Sequence, residues 1–398
     1  MRNFKLGIGL IYLGIWVLAG CQTNTDPGKV TEIAQLTQEI KTQYAPDSRV
    51  AIFDIEPTAS NESYILKGST NIPQALSTLK EKLSALNIVF IDSVTVLPAA
   101  ELEGKTQGII ALSAANLRAT PRHSAELVTQ GTLGMPVRIY KKQDHWYLIQ
   151  TPDNYIAWVD SGGVVPMDST SYDNWMQSEK LIFTKTFGSS FAQKNESGQV
   201  VSDLVAGNVL KLIDQQEDFY QVEFPDGRKA FVAKSQGLPY KEWLTSLAQT
   251  KESLVATSKT LMGLPYLWGG TSPKGVDCSG FTKTIYFLNG LIIPRDASQQ
   301  IHQGILVDQD KDFSRLQPGD LLFFGKQATD STKERIVHVG MWIGNNEFIH
   351  SAGRVHISSV DPNDPNYDAY NLNRYIRTKR ILDHKTEGII DLKDSLLF

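Results

Sequence analysis

The residues best suited to covalent chemistry lie in one short stretch of the C-terminal third, Asp277-Cys278-Ser279-Gly280-Phe281. Apolar residues at helical spacing follow it, and Gly290 is a suitable stop, so we predict a helix that begins here. Asp277 is a favoured N-cap residue, which puts Cys278 in the first turn. There the free N–H groups and the helix dipole favour a thiolate, so we predict a nucleophile whose pKa is lowered from about 8.5 into roughly the 3.5–7.5 range. The alternative is an inert, half-buried thiol, the more frequent state of a lone cysteine.

A cysteine nucleophile needs a base, and the downstream candidates are His302, His338, His350 and His356. Two apolar strands flank Gly344-Asn345-Asn346 and predict a hairpin. If these three residues form the loop, Gly340 faces His350, and His338 is its diagonal neighbour about 7–8 Å away on the same face. A two-residue loop would instead put the two histidines on opposite faces. We favour the first register, in which His338 contacts Cys278 and His350 orients His338, and we interpret His302 and His356 as structural.

Composition restricts the other kinds of site. The chain has 398 residues, which predicts two to four domains, and a formal net charge of -4 without a basic stripe, so nucleic acid is not an expected partner. With two cysteines and seven histidines there is little material for a structural metal site. Zinc bound by Cys278, His338 and His350 is an alternative, although the usual paired-cysteine spacing is missing. We expect no metal and no organic cofactor.

The first 21 residues have the pattern of a secretory signal. Arg2 and Lys5 provide the positive start, and residues 6–17 form an apolar run too short to span a bilayer comfortably. The run ends in Leu18-Ala19-Gly20-Cys21, which resembles a bacterial lipobox. That resemblance implies lipidation of Cys21 and a membrane-anchored protein on the periplasmic or extracellular face of the bacterial envelope. The alternative is an ordinary cleaved signal with an incidental cysteine.

The rest of the chain predicts a multidomain α+β protein. A polar tether at residues 22–28 precedes a small α+β domain, residues 28–108, in which we see no chemistry. Short strands and turns then predict two tandem barrels, residues 109–168 and 178–240, of which the first resembles a bacterial SH3-like barrel. The helix at Cys278 and the strands after it predict a last α+β domain, residues 245–384. The tail beyond it carries no signal.

Six short motifs stand out in the last domain. They are Tyr266-Leu267-Trp268-Gly269-Gly270, Asp277-Cys278-Ser279-Gly280-Phe281, Pro294-Arg295-Asp296-Ala297, Pro318-Gly319-Asp320-Leu321, His338-Val339-Gly340 and His350-Ser351. Taken together they resemble the NlpC/P60 family of cell-wall cysteine peptidases over about residues 245–382, which implies a papain-like α+β fold. With two SH3-like domains ahead of it, the layout resembles the subgroup that cleaves γ-D-glutamyl–diaminopimelate bonds in murein peptides. This implies Cys278 as nucleophile and His338 and His350 as the rest of the triad.

The same resemblance implies a set of substrate-binding residues. A tyrosine lines the site near the attacked carbonyl, an arginine offers a planar fork to the substrate carboxylate, and an aspartate pairs with the substrate ammonium. A glutamate and a tyrosine from the first barrel close the amine pocket and so exclude stems whose amine is capped by a glycan. In this sequence the set is Tyr266, Ser279, Arg295, Asp296, Glu126 and Tyr155.

Two other functions remain open at this stage. A hydrolase of the same fold could act on intact, glycan-linked wall peptides, and it would differ only in whether the amine pocket is closed. A non-enzymatic protein could use its SH3-like domains to bind the wall, although the intact cysteine and histidine set argues against it. We expect a monomer whose substrate is a murein peptide.

The lipobox generates the first testable prediction. Cys21→Ser removes the sulfur that carries the lipid, so the variant should move from the membrane fraction to the soluble fraction. Detergent phase partition of the mature wild-type protein measures this directly. Recovery of the wild-type protein in the aqueous phase would contradict the lipoprotein interpretation.

Overall fold

The computed structural model describes residues 26–60, 63–395 and 397–398. The signal segment and Cys21 lie outside these residues. No helix among the residues described is long and apolar enough to cross a membrane. Four units follow one another along the chain, and each has its own cluster of buried apolar side chains, which confirms the predicted multidomain α+β class.

The first unit packs two helices against a three-stranded sheet. Leucines at helical spacing predict the second helix, and Leu76, Leu79 and Leu83 are buried on it, whereas Leu86, at its C-terminal end, is exposed. The first helix is capped by Asp26 and begins within the predicted tether, so the tether prediction is wrong at its C-terminal end. The elements are α1 (Pro27–Tyr44), β1 (Phe53–Ala59), β2 (Tyr64–Thr70), α2 (Pro73–Ala85) and β3 (Phe90–Val96).

Two seven-stranded antiparallel sheets form the barrels, with strand orders β10-β4-β7-β8-β9-β5-β6 and β13-β12-β16-β15-β14-β11-β17. A helix containing the buried Trp175 joins them. The strands of the first are β4 (Gln107–Ile110), β5 (Ala114–Arg118), β6 (Leu127–Thr132), β7 (Pro136–Gln143), β8 (Trp146–Gln150), β9 (Ile156–Asp160) and β10 (Val164–Met167). After α3 (Ser169–Gln177) come β11 (Lys180–Phe183), β12 (Phe187–Phe191), β13 (Val200–Val205), β14 (Val209–Gln215), β15 (Phe219–Glu223), β16 (Lys229–Ala233) and β17 (Gly237–Pro239).

The last unit packs a central helix against a six-stranded sheet of order β21-β26-β22-β23-β24-β25. The helix buries Phe281 and Ile285 against Val339 and Met341 of the sheet. Its elements are α4 (Tyr240–Ser246), α5 (Lys251–Thr260), β18 (Thr271–Ser272), β19 (Gly275–Val276), α6 (Cys278–Leu288), β20 (Leu291–Ile292), α7 (Ala297–Gln300), β21 (Ile305–Asp308), β22 (Leu321–Lys326), β23 (Arg335–Gly344), β24 (Glu347–Ala352), β25 (Arg354–Ser359), α8 (Ala369–Asn373), β26 (Tyr375–Arg380) and β27 (Ile390–Asp391).

The tail beyond residue 384 is part of the fold. Ile390 pairs with Ile292, and Leu392 is buried. The ring of Phe398 lies 5.5 Å from the ring of Tyr240, at the junction with the second barrel. The C-terminal unit therefore extends past the boundary that the sequence predicted.

The first barrel is bonded to the C-terminal unit at two buried places. The backbone N–H and carbonyl of Gln130 both bond to the hydroxyl of Thr271, each at 3.0 Å. Lys283, on α6, forms an ion pair with Asp153, whose other carboxylate oxygen accepts the Thr151 hydroxyl at 2.6 Å. Burial lowers the pKa of Lys283, and the attraction of Asp153 opposes that shift. The helix that carries Cys278 is thus fixed to the barrel loop that precedes Tyr155.

We predict that this ion pair holds the interface together. Lys283→Met leaves the Asp153 carboxylate buried and unpaired, which should cost about 3–5 kcal/mol in the free energy of unfolding. Adding Asp153→Leu should recover most of the loss. Thermal unfolding of the two variants measures the effect, and Lys241→Met, which removes the exposed Lys241–Glu179 pair, is the matched control with little expected change. A single Lys283→Met that unfolds at the wild-type temperature would refute this role.

Candidate active site

The helix that carries the cysteine begins as predicted. The Asp277 carboxylate accepts the N–H of Gly280 at 2.7 Å, which confirms it as the N-cap of α6 and sets Cys278 in the first turn. A Cβ at position 280 would lie 1.9 Å from the carbonyl oxygen of Gly270, so only glycine allows this close approach. The helix start is therefore packed directly onto the loop that contains Gly269 and Gly270.

Arg295 does not have the free fork that the sequence predicted, and that interpretation is wrong. Its side chain is 1% exposed, and its Nη2 donates to Asp277 at 2.6 Å. Its Nη1 donates to the other Asp277 oxygen at 3.1 Å and to the Ser279 hydroxyl at 2.9 Å. The planar guanidinium is thus paired with the N-cap carboxylate, and it positions the start of α6 rather than a substrate carboxylate.

The hairpin between β23 and β24 has the predicted register, but a two-residue loop and a β-bulge produce it instead of the predicted three-residue loop. The loop is the two residues Asn345 and Asn346, both with positive φ, and the pairing shifts by one residue between Trp342 and Gly344. This bulge restores the alternation that a two-residue loop alone would have reversed. A Cβ at Gly340 would lie 3.2 Å from the Cβ of His350, so the two residues face each other.

That register brings the two histidines into direct contact. His338 Nε2 lies 2.7 Å from His350 Nδ1, and His350 Nε2 lies 3.0 Å from the Ser358 hydroxyl and 3.9 Å from the Asp368 carboxylate. A carboxylate at the far end favours the tautomers in which each Nε2 carries the proton, since Nε2–H of His350 then points toward an acceptor. His338 Nδ1 is left as the basic nitrogen. Ser358 and Asp368 were not predicted as partners of His350. The pairing of His356 on β25 with His350 is the signal that could have found Ser358, which lies two residues further along the same strand.

Of the two other candidate histidines, His356 lies against the pair and His302 lies in the cavity. The ring of His356, interpreted as structural, is 4.4 Å from the ring of His350, and His302 lines the nearby cavity. The contact between His338 and His350 also bears on the zinc alternative. Two nitrogens that share a tetrahedral zinc at 2.0–2.1 Å would be roughly 3.3 Å apart, farther than the 2.7 Å between His338 Nε2 and His350 Nδ1. These two nitrogens are therefore hydrogen-bonded to each other and are not placed to share a zinc ion.

Burial controls the protonation of the nucleophile. Burial and then the Asp277 charge raise the pKa of Cys278 to about 11, while the N–H groups of Val339 and Ser279 and the Arg295 charge act in the opposite direction. Burial also lowers the pKa of His338 to about 3 and that of His350 well below its usual value. The prediction of a lowered cysteine pKa is therefore wrong, because desolvation of the thiolate outweighs the N–H groups at the helix start. The resting pair is a neutral thiol and a neutral imidazole.

A cavity of about 910 Å³ opens over Cys278 and takes its walls from three units. Glu126 and Tyr155 come from the first barrel, as predicted, and Tyr266 and Asp296 from the C-terminal unit. The Glu126 carboxylate accepts the indole N–H of Trp268 at 2.7 Å. Burial and the Asp296 charge raise the pKa of Tyr155, and burial and Cys278 raise that of Tyr266, so both phenols stay protonated.

The first unit also contributes a cavity residue, which the sequence analysis missed. Arg49, in the loop between α1 and β1, lines the cavity and donates to Asp296 at 2.7 Å. Its partner lies 247 positions further along the chain, and no local pattern marks such a pair. The cavity thus brings several charged groups to the cysteine. His338 lies on β23 between Val337, which lines the cavity, and Val339, whose N–H bonds the Cys278 sulfur. A cysteine with a histidine pair on the adjoining strand can cleave an acyl bond by nucleophilic attack.

Known proteins share the sequence of this site and of the domains around it. The NlpC/P60 family profile matches residues 263–377, and the bacterial SH3 domain profile matches residues 113–165. A γ-D-glutamyl-L-lysine dipeptidyl-peptidase of Bacillus cereus is 32% identical over 257 residues, which cover 61% of this chain and 72% of the relative. A dipeptidyl-peptidase 6 of Lysinibacillus sphaericus is 29% identical over 269 residues, 65% of this chain and 93% of the relative.

A solved structure shows the same likeness. The crystal structure of an NlpC/P60 family protein from Bacillus cereus is 28% identical, with a TM-score of 0.58, and the match covers 69% of this chain and 99% of that one. The matched sequence, the capped cysteine helix and the histidine pair agree with one another, and we conclude that this chain belongs to the NlpC/P60 family of peptidases.

Proposed function

We propose that the protein is a cysteine peptidase that hydrolyses the bond between the γ-carboxyl of D-glutamate and the following diamino acid in murein peptides with a free N-terminal L-alanine. The observation that carries the proposal is the cavity over Cys278, which charged groups from three units line. His338, in contact with His350, lies on the strand between the cavity residue Val337 and Val339, whose N–H bonds the sulfur. The names of the Bacillus cereus and Lysinibacillus sphaericus relatives support the bond and the substrate class.

The chemistry follows from the neutral resting pair. His338 Nδ1 takes the thiol proton as the sulfur of Cys278 attacks the γ-carbonyl, and the N–H groups of Val339 and Ser279 stabilise the negative charge on the sulfur as it forms. Backbone N–H groups at the start of α6 stabilise the oxyanion. His350 holds the His338 ring through Nε2, so Nδ1 is the ring nitrogen that can act as the base.

The second half of the reaction returns the enzyme to its resting state. The tetrahedral intermediate expels the amine of the diamino acid, which takes the proton from His338 and leaves L-Ala-γ-D-Glu as a thioester on Cys278. His338 then accepts a proton from water as the water attacks the thioester, and it returns that proton to the sulfur of Cys278 as the carbon–sulfur bond breaks. The thiol and the free γ-carboxyl group are the products, and each step balances with no further reactant.

The charges of the cavity support the choice of a free amine. Asp296 and Glu126 supply carboxylates near Tyr155, and a substrate ammonium would meet them inside a partly closed wall. A buried charge is costly unless it is paired, so such a pocket favours the ammonium over an uncharged, acylated nitrogen. A stem whose alanine is capped by a glycan would lack the ammonium and carry extra bulk.

We further propose that the enzyme acts as a monomer at the bacterial envelope and is attached to a membrane through lipid on Cys21. The lipobox-like sequence at residues 18–21 supports the anchor. A position outside the cytoplasm would give the enzyme access to peptides released from the wall.

The proposed function predicts a specific product pattern. The wild-type enzyme should cleave L-Ala-γ-D-Glu-diaminopimelate into dipeptide and free diaminopimelate, with products identified by mass spectrometry. Cys278→Ala and His338→Ala should abolish turnover because they remove the nucleophile and the base. His350→Ala should be milder, because water can partly replace an orienting group.

Two outcomes would contradict this prediction. Equal rates on the free tripeptide and on glycan-linked stems would favour a wall-remodelling hydrolase. Binding of wall fragments without turnover would favour a non-enzymatic wall-binding protein. Substrate binding by the folded Cys278→Ala variant is the control that separates lost chemistry from lost structure.

The raised cysteine pKa gives a prediction of its own. In the Cys21→Ser protein Cys278 is the only cysteine, and its alkylation by iodoacetamide should rise about tenfold per pH unit up to roughly pH 10, because only the thiolate reacts. Glutathione under the same conditions is the control and should level off earlier, near its lower pKa. A plateau for Cys278 below pH 7 would show a preformed thiolate–imidazolium pair and overturn the neutral resting state.

A further inference from the structure

The loop between α1 and β1 reaches the reaction cavity from the far end of the sequence. Its Arg49 donates through Nη1 to the Asp296 carboxylate at 2.7 Å and to the Ser298 hydroxyl at 2.9 Å. The same guanidinium donates through Nε at 2.8 Å and through Nη2 at 2.7 Å to the two carboxylate oxygens of Asp47. One cation therefore links two carboxylates that belong to different domains.

The hydrogen-bond inventory of Arg49 limits what it can do. A guanidinium has five N–H donors, and four of them are engaged by Asp47, Asp296 and Ser298. A substrate carboxylate would need two parallel donors, so Arg49 is not built to bind one. Arg49 can therefore act on a substrate only through Asp296. It bonds one carboxylate oxygen of Asp296 and makes no hydrogen bond to the other.

The charge of this cluster suits a cationic ligand. Asp47 and Asp296 together carry two negative charges, and Arg49 supplies one positive charge. Arg295 also lies 3.8 Å from Asp296, but its charge is balanced by Asp277. The net charge is therefore -1, which matches one ammonium group. Without Arg49 the two carboxylates would repel each other, and Asp296, with its side chain 27% exposed, would lose the partner that holds its rotamer.

The loop itself is fixed to both neighbouring units. The carbonyl of Arg49 accepts the N–H of Ile156, the residue after Tyr155, at 2.7 Å. Gln299, on α7, donates to Asp47 at 3.1 Å. The loop therefore holds Asp296 and Tyr155, from two different units, in one arrangement around the end of the cavity.

We propose that Arg49 is a positioning residue that sets the specificity of this enzyme, and that the N-terminal unit is a third wall of its amine pocket. Arg49 holds Asp296 in the orientation that receives the substrate ammonium, and its loop fixes the neighbouring Tyr155. This inference rests on the proposed function, because it assumes that the ammonium of a free L-alanine binds at Asp296.

The test compares kcat and KM on L-Ala-γ-D-Glu-diaminopimelate and on its N-acetylated form. Arg49→Ala should lower kcat/KM for the free tripeptide roughly 10- to 100-fold, mainly through KM, and leave the acetylated peptide almost unchanged. The kcat should stay near wild type, since no atom of the Cys278–His338–His350 set contacts Arg49. Arg49→Lys should recover part of the selectivity, because it keeps the charge but not the fork.

Two controls separate positioning from simple domain attachment. Tyr140 bonds Asn71 of the N-terminal unit at 2.9 Å, so Tyr140→Phe weakens the same attachment without a change at Asp296. Tyr140→Phe should keep the wild-type selectivity. In the Asp296→Asn variant, Arg49→Ala should lower kcat/KM for the free tripeptide little further, because the two changes remove the same interaction with the substrate ammonium.

The outcomes also distinguish this inference from the proposed function. No cleavage of the free tripeptide by the wild-type enzyme would overturn the proposed function. Cleavage by the wild-type enzyme with unchanged selectivity in Arg49→Ala would overturn only the role of Arg49. Equal losses in Arg49→Ala and Tyr140→Phe, or additive losses with Asp296→Asn, would reduce Arg49 to a structural contact and overturn the inference.

Discussion

The buried pair of Asp277 and Arg295 is the interaction on which the reaction centre depends. The carboxylate caps α6 through Gly280, accepts the N–H of Gly269 at 2.9 Å and pairs with both ends of the guanidinium. It therefore joins the start of α6, the loop before it and the loop between β20 and α7 at one point. Since neither charge is exposed, removal of one would leave the other buried and uncompensated. The position of Cys278 follows from the geometry of this pair.

Catalysis and specificity are distributed differently over the units. The cysteine helix and the histidine hairpin lie in one hydrophobic core, which can hold reacting groups to the small tolerances that proton transfer requires. The charged groups of the cavity come from three units, and ion pairs such as Lys283–Asp153 and Arg49–Asp296 join those units. Under the proposed function, a change in domain attachment would alter substrate choice without a change in the chemistry.

Enclosure of the site also shapes its reactivity. Burial raises the pKa of Cys278 and lowers that of His338, so the protein environment favours the neutral thiol and imidazole. In the proposed mechanism, the thiol gives its proton to His338 as it attacks the substrate carbonyl. An exposed, low-pKa cysteine would react with many electrophiles, whereas this arrangement links reactivity to the bound substrate.

Much of the fold and the central chemistry could be predicted from the sequence, because these features depend on short-range patterns. The cap at Asp277 involves a residue three positions away, and the facing of Gly340 and His350 follows from strand alternation around a short loop. The order of the units and most strands follow in the same way from apolar periodicity and turn residues. The helix α1 and the ordered tail were missed, since their apolar positions become meaningful only against the surfaces that they cover.

What only the tertiary structure decided is which charges meet and how deeply they are buried. Arg295 has the same neighbours in sequence whether it binds a substrate or Asp277, and the fold settles this by burying it beside the helix start. Arg49 contributes to the cavity only because three units pack together there. The pKa of Cys278 was misjudged for the same reason. A cap can be predicted from four residues, whereas desolvation depends on every atom that excludes water from the sulfur, and those atoms come from distant parts of the chain.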